Sequence, residues 1–192
     1  FLCFSFLFGG NINQQLRIAG KNKKEIKKAI RKAPKDYREG MHWLIKNMPE
    51  EDLKSVTSEF LLENCELAYK AWEEAPWGQE IPEDVFFAYV LPFANLNEKR
   101  ESWRKDFYYR FSDIMRNSSS AYQAAARLNN EMFEMVGVSY STKRPKADQA
   151  PYESMDAGLA SCTGLSILLI DACRSIGVPA RFVGTPMWYN NS

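Results

Sequence analysis

The sequence predicts an α+β protein, mostly α-helical at its N-terminal side, with a mixed unit towards its end. Three observations carry this. Between Arg17 and Val136 apolar residues recur at helical spacing in segments punctuated by Pro34, Pro49, Pro82 and Pro92. Val138-Ser139-Tyr140-Ser141 then alternates like a short strand. From Gly158 to Gly184, GLASCTGLSILLIDACRSIGVPARFVG, an almost uninterrupted apolar helix pattern stops at Gly177 and gives way to strand-like residues.

The chain of 192 residues is long enough for one ordinary domain, with or without an appended piece. Hydrophobic residues at 45% and aromatics at 14% suffice for a core and exclude disorder. The net charge of +1 implies neither a strongly basic nor a strongly acidic partner. Its opening residues, FLCFSFLFGG, form an apolar run far short of the ~20 residues that cross a bilayer. The run resembles the end of a signal-peptide apolar region, which gives residues 1–10 as a remnant of one and an exported, periplasmic or envelope location. An ordinary strand or helix is the alternative for Phe1 to Phe8.

Arg17 to Lys35 is rich in Lys and Arg, with Ile26, Ala29, Ile30 and Ala33 as a narrow apolar stripe. The first reading is a solvated helix with one face docked. The second is a weak membrane-surface contact through Lys21 to Lys35. No nucleic acid partner is expected, because no aromatic interleaves with the charges. Helices are expected over Lys35 to Met48, Leu53 to Trp72, Ile81 to Leu91 and Glu98 to Met115, and the acidic residues near the last read as solvated faces. Ser118-Ser119-Ser120 offers caps for the next helix, whose stripe holds Tyr122, Ala125, Ala126, Asn129, Met132, Phe133 and Val136. Asn129 is either a buried residue in need of a partner or a helix edge. Thr142 to Tyr152 reads as a loop.

In the last unit Ser161 is the expected N-cap of a helix that Gly177 ends and Val178-Pro179 keeps from resuming. Ala180 to Gly184 reads as a strand. Cys162 falls in the first turn, where free backbone N–H groups and the helix dipole favour an anion, and so favour the thiolate of a cysteine. The same N–H groups can face the oxygen of a tetrahedral intermediate. On position alone two readings stay open for Cys162: a nucleophile, or a small residue buried in a core. The four cysteines include no C-x-x-C pair, so zinc-site spacing is absent and neither a metal nor a cofactor is expected. Cys162 and Cys173 are about 16 Å apart along one helix, too far to bond.

The order Gly158, Ser161-Cys162, apolar helix, Ile176-Gly177-Val178-Pro179-Ala180-Arg181 and Val183-Gly184 resembles the nucleophile segment of the transglutaminase-like superfamily, a papain-like cysteine fold. More loosely, Val90-Leu91-Pro92-Phe93 with Trp103 to Phe107 is similar to helical regions preceding such cores in some bacterial envelope proteins. The resemblance implies a helical region over residues 11–117 and the N-terminal part of a transglutaminase-like core over 118–192, truncated before most of its sheet. It implies Cys162 as nucleophile, a protein or peptide as substrate, and peptide hydrolysis or acyl transfer through a Cys thioester. It also places a His and an Asp on later strands, beyond Ser192, the His-bearing strand beginning about where residues 185–191 end, so the fragment as given is expected to be inactive. The one histidine, His42, lies far upstream against that order. The alternative is a non-catalytic binding or scaffolding module of transglutaminase-like shape. Oligomeric state is left open.

Overall fold

The computed structural model describes residues 11–184. The expected signal-peptide remnant with Cys3, and the segment 185–191 at whose end the histidine strand is expected to begin, lie outside the described residues.

In chain order the helices are α1 (Ile12–Ile18), α2 (Lys23–Lys32), α3 (Arg38–Lys46), α4 (Glu50–Ser55), α5 (Ser58–Glu74), α6 (Glu83–Tyr89), α7 (Trp103–Arg110), α8 (Ser112–Arg116) and α9 (Ala121–Met135). Strand β1 (Ser139–Tyr140), α10 (Pro151–Ala157), β2 (Leu159–Ala160) and α11 (Cys162–Ser175) follow. The protein is thus α+β and mostly helical, as the periodicity predicts. β1 and β2 run parallel, pairing Ser139 with Leu159 and Tyr140 with Ala160. One continuous core extends from Leu16 to Val178, with Trp77, Trp103, Phe86 and Phe107 among its largest buried side chains. Helix α11 packs on α5, α7, α9 and α10 and on both strands.

Several boundaries differ from the sequence expectation. The helix expected over Leu53 to Trp72 is two helices, because Val56 is extended and Thr57 caps a new start by accepting the Phe60 N–H at 3.1 Å. Residues 98–102 are not helical. There Glu98 accepts the N–H groups of Asn95 (2.6 Å) and Leu96 (2.7 Å), while Arg100 donates to Asp52. Glu98 and Glu101 are therefore buried rather than solvated. On α9 the packed seam is Ala124, Leu128, Met132 and Val136, at i, i+4 spacing. Tyr122, at the second helical position, is 85% exposed beyond that seam, and Asn129 faces solvent as a helix edge.

Ala180 to Gly184 forms no strand. Its backbone is satisfied otherwise: the Ala180 N–H donates to the Tyr89 carbonyl at 3.0 Å and the Ala180 carbonyl accepts from Arg174 Nε at 3.1 Å. Within the expected loop, α10 begins at Pro151, where the Glu153 carboxylate reaches back to the Ala150 N–H at 2.9 Å. Proline at the first helical position with glutamate two residues on was the signal for it.

Candidate functional site

The site is built from the strand that leads into α11. Gly158 closes α10 in the left-handed conformation (φ 64°), which costs a residue without Cβ little, and turns the chain into β2. Strand β1 fixes β2 from the side: Ser139 N–H donates to Gly158 O at 3.1 Å and Ser141 N–H to Ala160 O at 2.9 Å. Beneath them the Gln149 amide donates to Leu159 O at 3.0 Å and Glu153 O at 3.3 Å. Strand β2 then delivers Ser161 to the cap position.

Ser161 is buried, and its hydroxyl accepts the Gly164 N–H at 3.0 Å while donating to the Ala147 carbonyl. That double bond pattern ties the first turn of α11 to the segment before α10. Gly164 makes the approach close: a Cβ there would lie 3.1 Å from Ala160 Cβ and 3.6 Å from Ser154 Oγ. The expected N-cap is therefore observed.

Cys162 is the first residue of α11 and is exposed. Its carbonyl accepts from Ser166 Oγ at 2.8 Å. The Gly164 and Leu165 N–H groups are taken by Ser161, whereas the Cys162 and Thr163 N–H groups have no acceptor among the described residues. An exposed cysteine thus stands at a helix end with two backbone donors unengaged among the described residues. Cys65 and Cys173 differ: both are buried, and burial pushes each thiol up to about 12. Among the described residues Cys162 is not part of the buried core. Behind it the helix turns inward, with Ile167, Leu168, Ile170 and Ala172 buried.

His42 is half-buried on α3, which packs on α1, α2, α5 and α6. Among the described residues no hydrogen bond joins it to Cys162. Among the described residues no three His, Cys, Asp or Glu side chains form a cluster able to hold a metal ion.

Sequence reasoning missed Gln149 and Ser154, which lie wholly buried under Gly164, with Gln149 Oε1 and Ser154 Oγ lacking partners among the described residues. It also missed the charged anchor of α11. Arg174 donates to the carbonyls of Tyr89, Pro92, Ala94 and Ala180. Arg104 on α7 donates to Asn64 Oδ1 at 2.7 Å and to the carbonyls of Arg174, Val90, Leu91 and Pro92. Asp171 accepts from Asn95 Nδ2 at 2.9 Å, and burial pushes its carboxyl up to about 8. Two buried guanidinium groups spent on backbone carbonyls hold the 89–94 turn, α7 and α11 in one register.

Searches of curated proteins and of solved structures return no match to this chain. Residues 110–191 match the family model described as the transglutaminase-like superfamily. That span holds Cys162 with its helix and both strands, and over it the chain is similar to the transglutaminase-like superfamily.

Proposed function

We propose that Cys162 is the nucleophile of a cysteine-dependent acyl-transfer or amide-hydrolysing site. The observation that carries this is the exposed Cys162 at the start of a largely buried helix, beside two N–H groups unengaged among the described residues, inside the superfamily match. The thiolate attacks an amide carbonyl, and the Cys162 and Thr163 N–H groups receive the oxyanion. Collapse of the intermediate breaks the C–N bond, the amine leaves with a proton from the base, and a thioester remains. Water or a second amine then takes the acyl group, giving hydrolysis or transfer. By resemblance the base is a histidine oriented by an aspartate, both supplied from beyond Ser192. The substrate class is a protein or peptide, and the site needs no cofactor. An envelope location, supported by the apolar run Phe1 to Phe8, belongs to the same reading.

Alkylation tests the nucleophile without requiring the base. Limiting iodoacetamide is applied to the folded chain and to the chain in denaturant, and modified cysteines are located by mass spectrometry. The Cys162 thiol is expected to react faster folded than unfolded, since only the fold supplies the helix end. Equal or slower reaction in the folded chain counts against activation and favours a scaffold without chemistry.

A further inference from the structure

Residues 21–35 hold seven lysines, Arg31 and a single acid, Glu25. On α2 the two kinds of residue separate cleanly. At about 100° per residue, Lys23, Lys24, Lys27, Lys28, Arg31 and Lys32 cover one arc of about 180°. All are exposed except Lys28, which is half-buried. The opposite side is Ile26, Ala29 and Ala33, buried, with Ile30 half-buried against the core. Glu25 forms no close ion pair with the cations, because its carboxylate turns to the start of α5 and accepts the Ser58 N–H (2.8 Å) and hydroxyl (2.7 Å), with only a lesser electrostatic pull from Lys28. None of the eight cations forms an ion pair within 4.0 Å among the described residues, whereas four of the seven lysines elsewhere, Lys54, Lys70, Lys99 and Lys146, do. The single acid of the stretch thus anchors the helix, and the remaining charge points outward with one sign.

We infer that the outer arc of α2, extended by Lys21 and Lys35, is a docking surface for an anionic lipid bilayer. The occupant follows from the composition of the arc. A flat face about 15 Å long made of lysines suits a diffuse layer of headgroup charge. Recognition of a nucleic acid favours arginine forks and polar or aromatic groups that read bases, and this arc holds one arginine and no Asn, Gln or aromatic. No described helix is long and apolar enough to cross a membrane, so the contact made by α2 is one of surface adsorption. This docking is independent of the chemistry at Cys162.

Co-sedimentation of the full chain with vesicles tests it. Vesicles carrying about 30% phosphatidylserine are expected to retain the protein at least about tenfold better than phosphatidylcholine vesicles, with retention lost between about 0.05 and 0.5 M salt. Lys24→Gln, Lys27→Gln and Arg31→Gln together keep helix propensity and should lower retention at least about tenfold while the circular dichroism spectrum is unchanged. Equal retention on neutral vesicles, or binding indifferent to salt, overturns the proposal without reference to any variant. Tighter retention on duplex DNA than on anionic vesicles at the same salt overturns the lipid as occupant.

Discussion

Ser161 and Gly164 are joined across the first turn of α11, hydroxyl oxygen to backbone N–H at 3.0 Å, and the same hydroxyl donates to Ala147. One buried side chain therefore sets both where the helix begins and where its first residue, Cys162, stands. Ser161→Ala is expected to cost about 1–2 kcal/mol, the usual loss for a cap, measured by urea unfolding. Ser161→Thr, which keeps the oxygen, should recover most of it. A Ser161→Ala variant as stable as the parent would show that the strand alone positions Cys162.

Arg104 is buried and donates to five acceptors drawn from α5, the 90–92 turn and α11. Burial and the like charge of Arg174 both work against its charge, so the bonds are what offset the desolvation. Arg104→Met removes the charge but leaves the acceptors unmet, and is expected to lose about 3 kcal/mol or more. Arg104→Lys keeps the charge yet cannot span the fork, and should fall between. Denaturation midpoints of the two variants decide: a Met variant within about 0.5 kcal/mol of the parent would mean that water replaces the guanidinium at little cost.

Local chemistry explains which parts were legible in the sequence. Ser161, Cys162 and Gly177 could be placed because caps and breakers act within a few residues of themselves. The α2 stripe could be placed because Ile26, Ala29 and Ala33 repeat with the helix. Strand β2 is two residues long and carries no period of its own; it exists because β1 offers it carbonyls and N–H groups. The Thr57 cap interrupts an apolar pattern that continues through it, so periodicity alone read one helix. Asp171 and Arg174 look in sequence like an i, i+3 surface pair. Their burial is decided by α7 and the 89–94 turn, which no local signal announces.

Gly177 has φ 76°, and a Cβ there would lie 2.6 Å from the carbonyl oxygen of Ala71 on α5. Its own carbonyl accepts from Trp77 Nε1 at 2.9 Å, fastening the end of α11 to the turn after α5. Gly177→Ala is expected to cost about 2 kcal/mol or more, from the left-handed backbone and the contact together. Gly20→Ala supplies the comparison, with φ 54° and open space where the Cβ would be. It should cost only about 1 kcal/mol. Thermal unfolding of both variants separates the two causes, and equal costs would remove the contact with α5 from the account.

Asp171 gives the protein a stability that depends on pH in a sense opposite to that of a paired carboxylate. Burial is the largest influence on it and raises its carboxyl from the ordinary 3.8 to about 8, against the opposing pull of Arg174. Between these values the unfolded chain has released the proton while the folded chain keeps it. This contribution is therefore complete below about pH 4, declines as pH rises through the interval, and is lost above about pH 8. A retained proton also suits the surroundings, since Asp171 Oδ2 is buried and has no donor among the described residues. Asp171→Asn keeps an oxygen for Asn95 Nδ2 and carries its own N–H donors at every pH. The variant should match the parent within about 1 kcal/mol near pH 4 and exceed it by an order of a few kcal/mol near pH 9. Urea unfolding across that range checks both limbs. A variant less stable than the parent at pH 9 would mean that the ionised carboxylate is held by Arg174 and Arg104 after all.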